Sequence, residues 1–112
     1  MFRIYKAFIY ALQGLKHALK FEFAFQIETI LACVLIPVAF LIGETIVEII
    51  LLISSTLVIL IVELINSAIE ITLNRIGEEQ NNLTKIAKDT ASAGVLVSLI
   101  LWAFVWGLIL LF

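Results

Sequence analysis

Polar and apolar positions alternate along this chain in four distinct patterns. In residues 1–20, Arg3, Lys6, Tyr10, Gln13, His17 and Lys20 recur at three- and four-residue steps, while Ile4, Phe8, Leu12, Leu15 and Leu19 take the opposite face. That periodicity predicts an amphipathic helix. Such a helix lies on a membrane surface with its basic face toward headgroups and cytosol. Charges at Arg3, Lys6, Lys16 and Lys20 interrupt any signal-peptide apolar region, and no cleavage site follows. A first spanning helix is expected over 23–42, with Gln26 and Glu28 near its start and a kink at Pro37, which spanning helices tolerate. Gly43-Glu44-Thr45 reads as a turn and 46–73 as a second span. At 1.5 Å per residue that helix is about 40 Å long against a hydrocarbon core of about 30 Å, so its polar end emerges. Residues 74–89 form the connection to a third, uncharged span over 90–112, with Trp102 and Trp106 toward its far end. The expected architecture is an all-α membrane protein, a single membrane domain over 1–112.

Composition agrees with that pattern. The chain has 112 residues, 63% hydrophobic and 14% charged, with a mean hydropathy of +1.20, far from the makeup of a soluble domain. About three spans fill the length, which leaves no room for a separate soluble domain. The net charge of −2 says little by itself and argues against nucleic acid as a partner. Placement of charge says more. All seven Lys and Arg residues precede the first span or lie between the second and third, which puts the N-terminus and that connection in the cytoplasm and the C-terminus outside. The single cysteine, Cys33, excludes an intrachain disulfide and reads as an inert buried thiol in an apolar run.

Glu63, Asn66, Ser67 and Glu70 fall on one face of the second span, and Asn74 extends that stripe. An ionisable group at membrane depth costs at least about 2.5 kcal/mol and marks a functional site by default. Counting from Ile46 puts Glu63 at the inner rim of the apolar layer and Glu70 about 10 Å nearer to water. Two readings of this face stand side by side, a catalytic site or a structural polar cluster that joins helices. Glu44 and Glu48 suit helix capping, His17 belongs to the basic surface face, and Glu78 and Glu79 read as solvated loop residues. Ala87, Ala91, Gly94 and Ser98 form a small-residue stripe that lets another helix approach. Acids, an amide and Lys88 at one membrane rim suit phosphoryl transfer, which needs a metal, a cation on the phosphates and a base for the attacking hydroxyl. Neither GxxxxGK[ST] nor GxGxxG occurs, so the site is not of the P-loop or protein-kinase type.

Glu63-Leu64-Ile65-Asn66-Ser67-Ala68-Ile69-Glu70, then Asn74-Arg75-Ile76-Gly77 and Ala87-Lys88-Asp89, resemble the signature of the small bacterial integral-membrane diacylglycerol kinases. The resemblance runs from the Arg3…Lys6 helix through the Glu22…Glu28 spacing to the third span. It implies a homotrimer in the inner membrane with active sites shared between subunits, using ATP and Mg2+ to phosphorylate diacylglycerol to phosphatidic acid. It further implies Glu63 as general base and Glu22 and Glu70 as metal-binding carboxylates. Asn66, Lys88, Asp89, Arg3, Tyr10 and Gly77 would join those two acids around the nucleotide, and Glu28 and Ser92 would line the substrate. Asn74 departs from the aspartate common in the family, and Gln80-Asn81-Asn82 from a segment that often carries tyrosine and histidine. Undecaprenol is the alternative lipid. A small ion or proton conductor ranks lower, because the outer halves of the spans offer almost no polar groups.

Overall fold

The computed structural model describes residues 2–77 and 82–112. Four helices follow in order, α1 (Phe2–Phe21), α2 (Phe23–Ile42), α3 (Ile46–Ile76) and α4 (Asn82–Leu111), with no strand among the described residues. Three of them, α2, α3 and α4, are long and apolar enough to cross a membrane.

α2 runs unbroken through Pro37. Two helices are longer than their expected bounds. α3 continues past Leu73 to Ile76, and α4 begins at Asn82 rather than Thr90, so Lys85, Lys88 and Asp89 sit on helical turns and not in a loop. The reason is local. Residues 83–89 contain no Gly or Pro, Lys85 Nζ meets Asp89 Oδ2 at 2.8 Å one turn on, and Thr90 Oγ1 donates to Ile86 O at 2.7 Å. Glu78, Glu79, Gln80 and Asn81 lie outside the described residues.

The α2–α3 turn is tight. At Gly43 an added Cβ would stand 2.5 Å from Ile49 Cγ1 and 3.0 Å from Ala39 O, so no larger residue fits without shifting the turn. Thr45 caps α3 by accepting from the Glu48 N–H at 3.1 Å, and Glu48 Oε1 accepts from the Glu44 N–H at 3.1 Å. The cap therefore uses the side chains of Thr45 and Glu48, with Glu44 contributing only its backbone. α3 ends at Gly77, whose φ of 153° is open to glycine alone.

Near the Gly43 turn, Ala39, Leu52 and Trp106 form a closed apolar core, flanked by Ile42, Ile53 and Trp102. The tryptophans face α3. Trp106 Nε1 donates to Leu52 O at 3.1 Å, and Trp102 Nε1 to Thr56 Oγ1 at 3.2 Å. Cys33 is exposed on α2, which corrects the expectation of a buried thiol: its stretch of α2 is apolar on all sides, so an apolar neighbourhood in sequence did not specify which face packs inward. Of the small stripe on α4, Ser98 is buried and Gly94 faces Val62.

Within the single chain only 17%, 28% and 11% of the most apolar stretches of α2, α3 and α4 are buried, so most of their apolar surface requires lipid or another protein surface to cover it. α1 buries Ala18 alone.

Candidate active site at the acidic end of the helical bundle

The buried face of α3 is a single stripe with two characters. Leu52, Ser55, Thr56 and Ile59 lead at three- and four-residue steps into Glu63, Asn66 and Ser67. Glu63 is 7% exposed and Asn66 8%, which is deep burial for an ionisable group and a carboxamide. Glu63 lies within electrostatic reach of Glu22 and Glu70, with Asn66 beside its carboxylate, and Glu28 of α2 lies within reach of Glu63. Four carboxylates from two helices and the α1–α2 joint thus share one region.

Nothing in the described residues neutralises them. No Lys, Arg or His forms an ion pair with any of the four; the ion pair found joins Lys85 to Asp89, and both side chains are largely exposed. Three polar atoms in the region are also buried without a hydrogen-bond partner, Glu28 Oε1, Thr29 Oγ1 and Asn66 Oδ1. Such atoms ordinarily find partners in a native protein. Two of them, Glu28 Oε1 and Asn66 Oδ1, belong to residues within reach of Glu63.

The donor set suits a hard divalent cation. Glu22 and Glu70 offer only oxygen, are half-buried and add negative charge with no cation beside them. Among the described residues no group of three His, Cys, Asp or Glu side chains converges to hold a metal.

Open space adjoins these groups on three sides. A groove of about 530 Å3 between α1 and α3 is lined by His17, Ala18, Glu22, Ser67 and Ala68. A second groove of about 530 Å3 separates α3 from α4, with Asn66 opposite Ala87, Ala91 and Gly94. A narrower apolar slot of about 230 Å3 runs past Leu31, Ala32, Ile59 and Leu99, with Glu28 in its wall. Lys88 is half-buried at the start of α4, where its Nζ donates to Asn74 Oδ1 at 3.1 Å and so ties the end of α3 to α4.

The fold brings Glu22, Glu28, Glu63, Asn66 and Glu70 together. Other residues named from the sequence stand apart in the single chain. Arg3 and Tyr10 are exposed on α1 and Ser92 on α4, Asp89 is engaged by Lys85, and Gly77 serves as the cap of α3. Thr29 escaped the sequence reading, because a threonine within an apolar helix usually bonds its own preceding turn. Gln26 was legible only as a polar residue near the start of a span; its partners, the Leu19 and Lys20 carbonyls, are set by the bend between helices.

Three membrane-length helices around an uncompensated carboxylate cluster define a multi-pass membrane protein with an acidic site at one end of its bundle. The chain belongs to the prokaryotic diacylglycerol kinase family, whose model matches residues 9–110. It is similar to proteins named diacylglycerol kinase from Haemophilus influenzae, 52% identical over 92% of this chain and 87% of the relative, and from Pseudomonas aeruginosa, 45% identical over 97% and 89%. The diacylglycerol kinase of Escherichia coli K12 is 38% identical over 96% of this chain and 88% of its own length.

Proposed function

We infer that this protein transfers the γ-phosphate of ATP to the free hydroxyl of diacylglycerol, giving phosphatidic acid, at the acidic end of the bundle. The observation that carries this reading is the buried Glu63–Asn66 pair within reach of Glu22, Glu28 and Glu70, in a member of a diacylglycerol kinase family. Glu63 acts as general base. It takes the proton of the lipid hydroxyl as that oxygen bonds to the γ-phosphorus and the bond to the ADP oxygen breaks. Asn66 hydrogen-bonds to the Glu63 carboxylate and holds it toward the hydroxyl, and the apolar slot beside Glu28 receives part of an acyl chain. Lys88 holds phosphate oxygens, and Glu22 and Glu70 hold Mg2+. Mg2+ held there would neutralise charge on the phosphates.

Arg3, Tyr10, Asp89, Gly77 and Ser92 complete the site around nucleotide and substrate, in a homotrimer whose subunits share each site. The sparse burial of all three spans supports further helix contacts. The protein lies in the inner membrane, with α1 on the cytoplasmic surface and the C-terminus outside, in keeping with the placement of its Lys and Arg residues.

Detergent-purified protein given ATP, Mg2+ and either lipid alcohol tests the reaction. Phosphatidic acid is the expected product; faster phosphorylation of undecaprenol, or of neither lipid, overturns the assignment. Sharing of sites is tested by mixing inactive Glu63→Gln chains with inactive Lys88→Ala or Glu22→Gln chains. Partial recovery in at least one mixture is expected, and none in any mixture shown to exchange subunits would mean that each chain builds its own site.

A further inference from the structure

The joint between α1 and α2 is one residue long. α1 ends at Phe21, α2 begins at Phe23, and Glu22 between them has extended backbone (φ −101°, ψ 104°) with no capping bond from its side chain. A joint of this kind leaves two soft dihedrals to set the direction of a whole helix. Packing does little to set it, because Ala18 is the sole buried residue of α1.

One side chain spans the joint. Gln26 Nε2 donates to Leu19 O at 2.9 Å and to Lys20 O at 3.1 Å, so both amide hydrogens serve the last turn of α1, whose carbonyls lack helical partners. Both partners are pure acceptors, which fixes which way round the carboxamide lies. The main chain brackets the same residue: the Glu22 N–H donates to Ala18 O at 2.9 Å, and Glu22 O accepts from the Gln26 N–H at 3.0 Å.

We propose that Gln26 is a positioning residue for the kinase reaction, clamping the end of α1 so that the Glu22 carboxylate stays within reach of Glu63 and ready to hold the metal. The proposal rests on the reading of Glu22 as a metal-binding carboxylate. Its chemistry is specific to a neutral double donor. Glutamate has the same shape but offers only acceptors to two carbonyls and adds a charge to an acidic region, whereas leucine fills the space without donating. Arginine has donors enough for both carbonyls.

The test uses full-length protein in nanodiscs, with Gln26→Leu, Gln26→Glu, Gln26→Arg and Glu22→Gln. Mn2+, which shares the oxygen-ligand preference of Mg2+, reports metal affinity through its free-ion electron paramagnetic resonance signal. Spin labels on the exposed Cys33 and on Ala7→Cys, diluted with Cys33→Ser chains, report the spread of α1–α2 distances. Gln26→Leu and Gln26→Glu should weaken Mn2+ binding by roughly tenfold, broaden the distance distribution, and raise the Mg2+ needed for half-maximal rate by the same factor. The rate at saturating Mg2+ and the KM for diacylglycerol should stay within about twofold, because once the metal is bound the reacting groups are unchanged. Gln26→Arg, which keeps two donors but adds a positive charge, should restore the distance distribution. Native Mn2+ affinity in Gln26→Leu and Gln26→Glu, with affinity lost in Glu22→Gln, overturns the clamp and leaves the role of Glu22 intact. Native affinity in Glu22→Gln removes the metal role of Glu22 and the proposal with it.

Discussion

The two ends of α3 bury the same stripe and treat polar groups in opposite ways. Near the Gly43 turn every buried polar side chain of the stripe is served within the chain: Ser55 Oγ and Thr56 Oγ1 donate to Leu52 O at 3.1 and 2.8 Å, and Trp102 and Trp106 add their own bonds. At the other end Asn66 Oδ1 and Glu28 Oε1 are buried without partners, within reach of the buried Glu63 carboxylate. An unsatisfied buried polar group costs about 1–3 kcal/mol. A chain able to satisfy two indoles and two hydroxyls at one end had the means to do so at the other. Among the described residues the acidic end is left incomplete, as a site that receives further groups would be.

If that contrast is functional, substitutions at the acidic end should remove activity and spare the fold. The largest effect belongs to Glu63. Glu63→Gln keeps the size and a polar head but cannot accept a proton, so turnover should fall by at least about 10², with ATP binding retained by equilibrium measurement; near-native turnover would refute the base assignment. Glu70→Gln comes next. It should raise the Mg2+ concentration for half-maximal rate by roughly 10–100-fold, and an unchanged metal titration would refute that role.

The acidic end was legible in sequence to the extent that membrane depth makes polarity conspicuous. Glu63, Asn66, Ser67 and Glu70 stood out because helical spacing gathers them on one face of an apolar segment, and the fold buries the first three. Glu28 joined them only through resemblance, since its approach to Glu63 depends on how α2 packs on α3. The opposite end was nearly silent. Ser55, Thr56 and the two tryptophans belong to segments where polar or aromatic residues are common, and the meeting of Trp106 with Leu52 O and of Trp102 with Thr56 Oγ1 is a property of interhelical register. The early start of α4 was missed because charged residues were taken for loop, although Lys85 and Asp89 at i and i+4 are compatible with a helix.

The closed end should show the reverse behaviour, stability lost and activity kept. Trp106→Phe removes one indole donor and leaves space in the core of Ala39 and Leu52. Leu52 O retains its bonds from Ser55 and Thr56, so no acceptor is orphaned and the loss is mainly packing, about 1–2 kcal/mol. Unfolding in mixed detergent should move accordingly while the rate per folded molecule stays native. A large fall in that rate would mean the two ends are coupled.

The smallest effect should come from Asn74, which touches the acidic end only through Lys88. Its Oδ1 accepts from Lys88 Nζ at 3.1 Å and, being neutral, holds the ammonium in place without cancelling its charge. Asn74→Asp would turn that bond into an ion pair. Asn74 is exposed and Lys88 only half-buried, so the pair gains about 0.2–1 kcal/mol. That gain must be surrendered when Lys88 turns to a phosphate, so the KM for ATP should rise by up to about fivefold at low salt. The increase should shrink as ionic strength rises and screens the pair, while kcat and the KM for diacylglycerol hold. A KM for ATP that falls or stays fixed in Asn74→Asp would mean that Lys88 does not reach the nucleotide from this position.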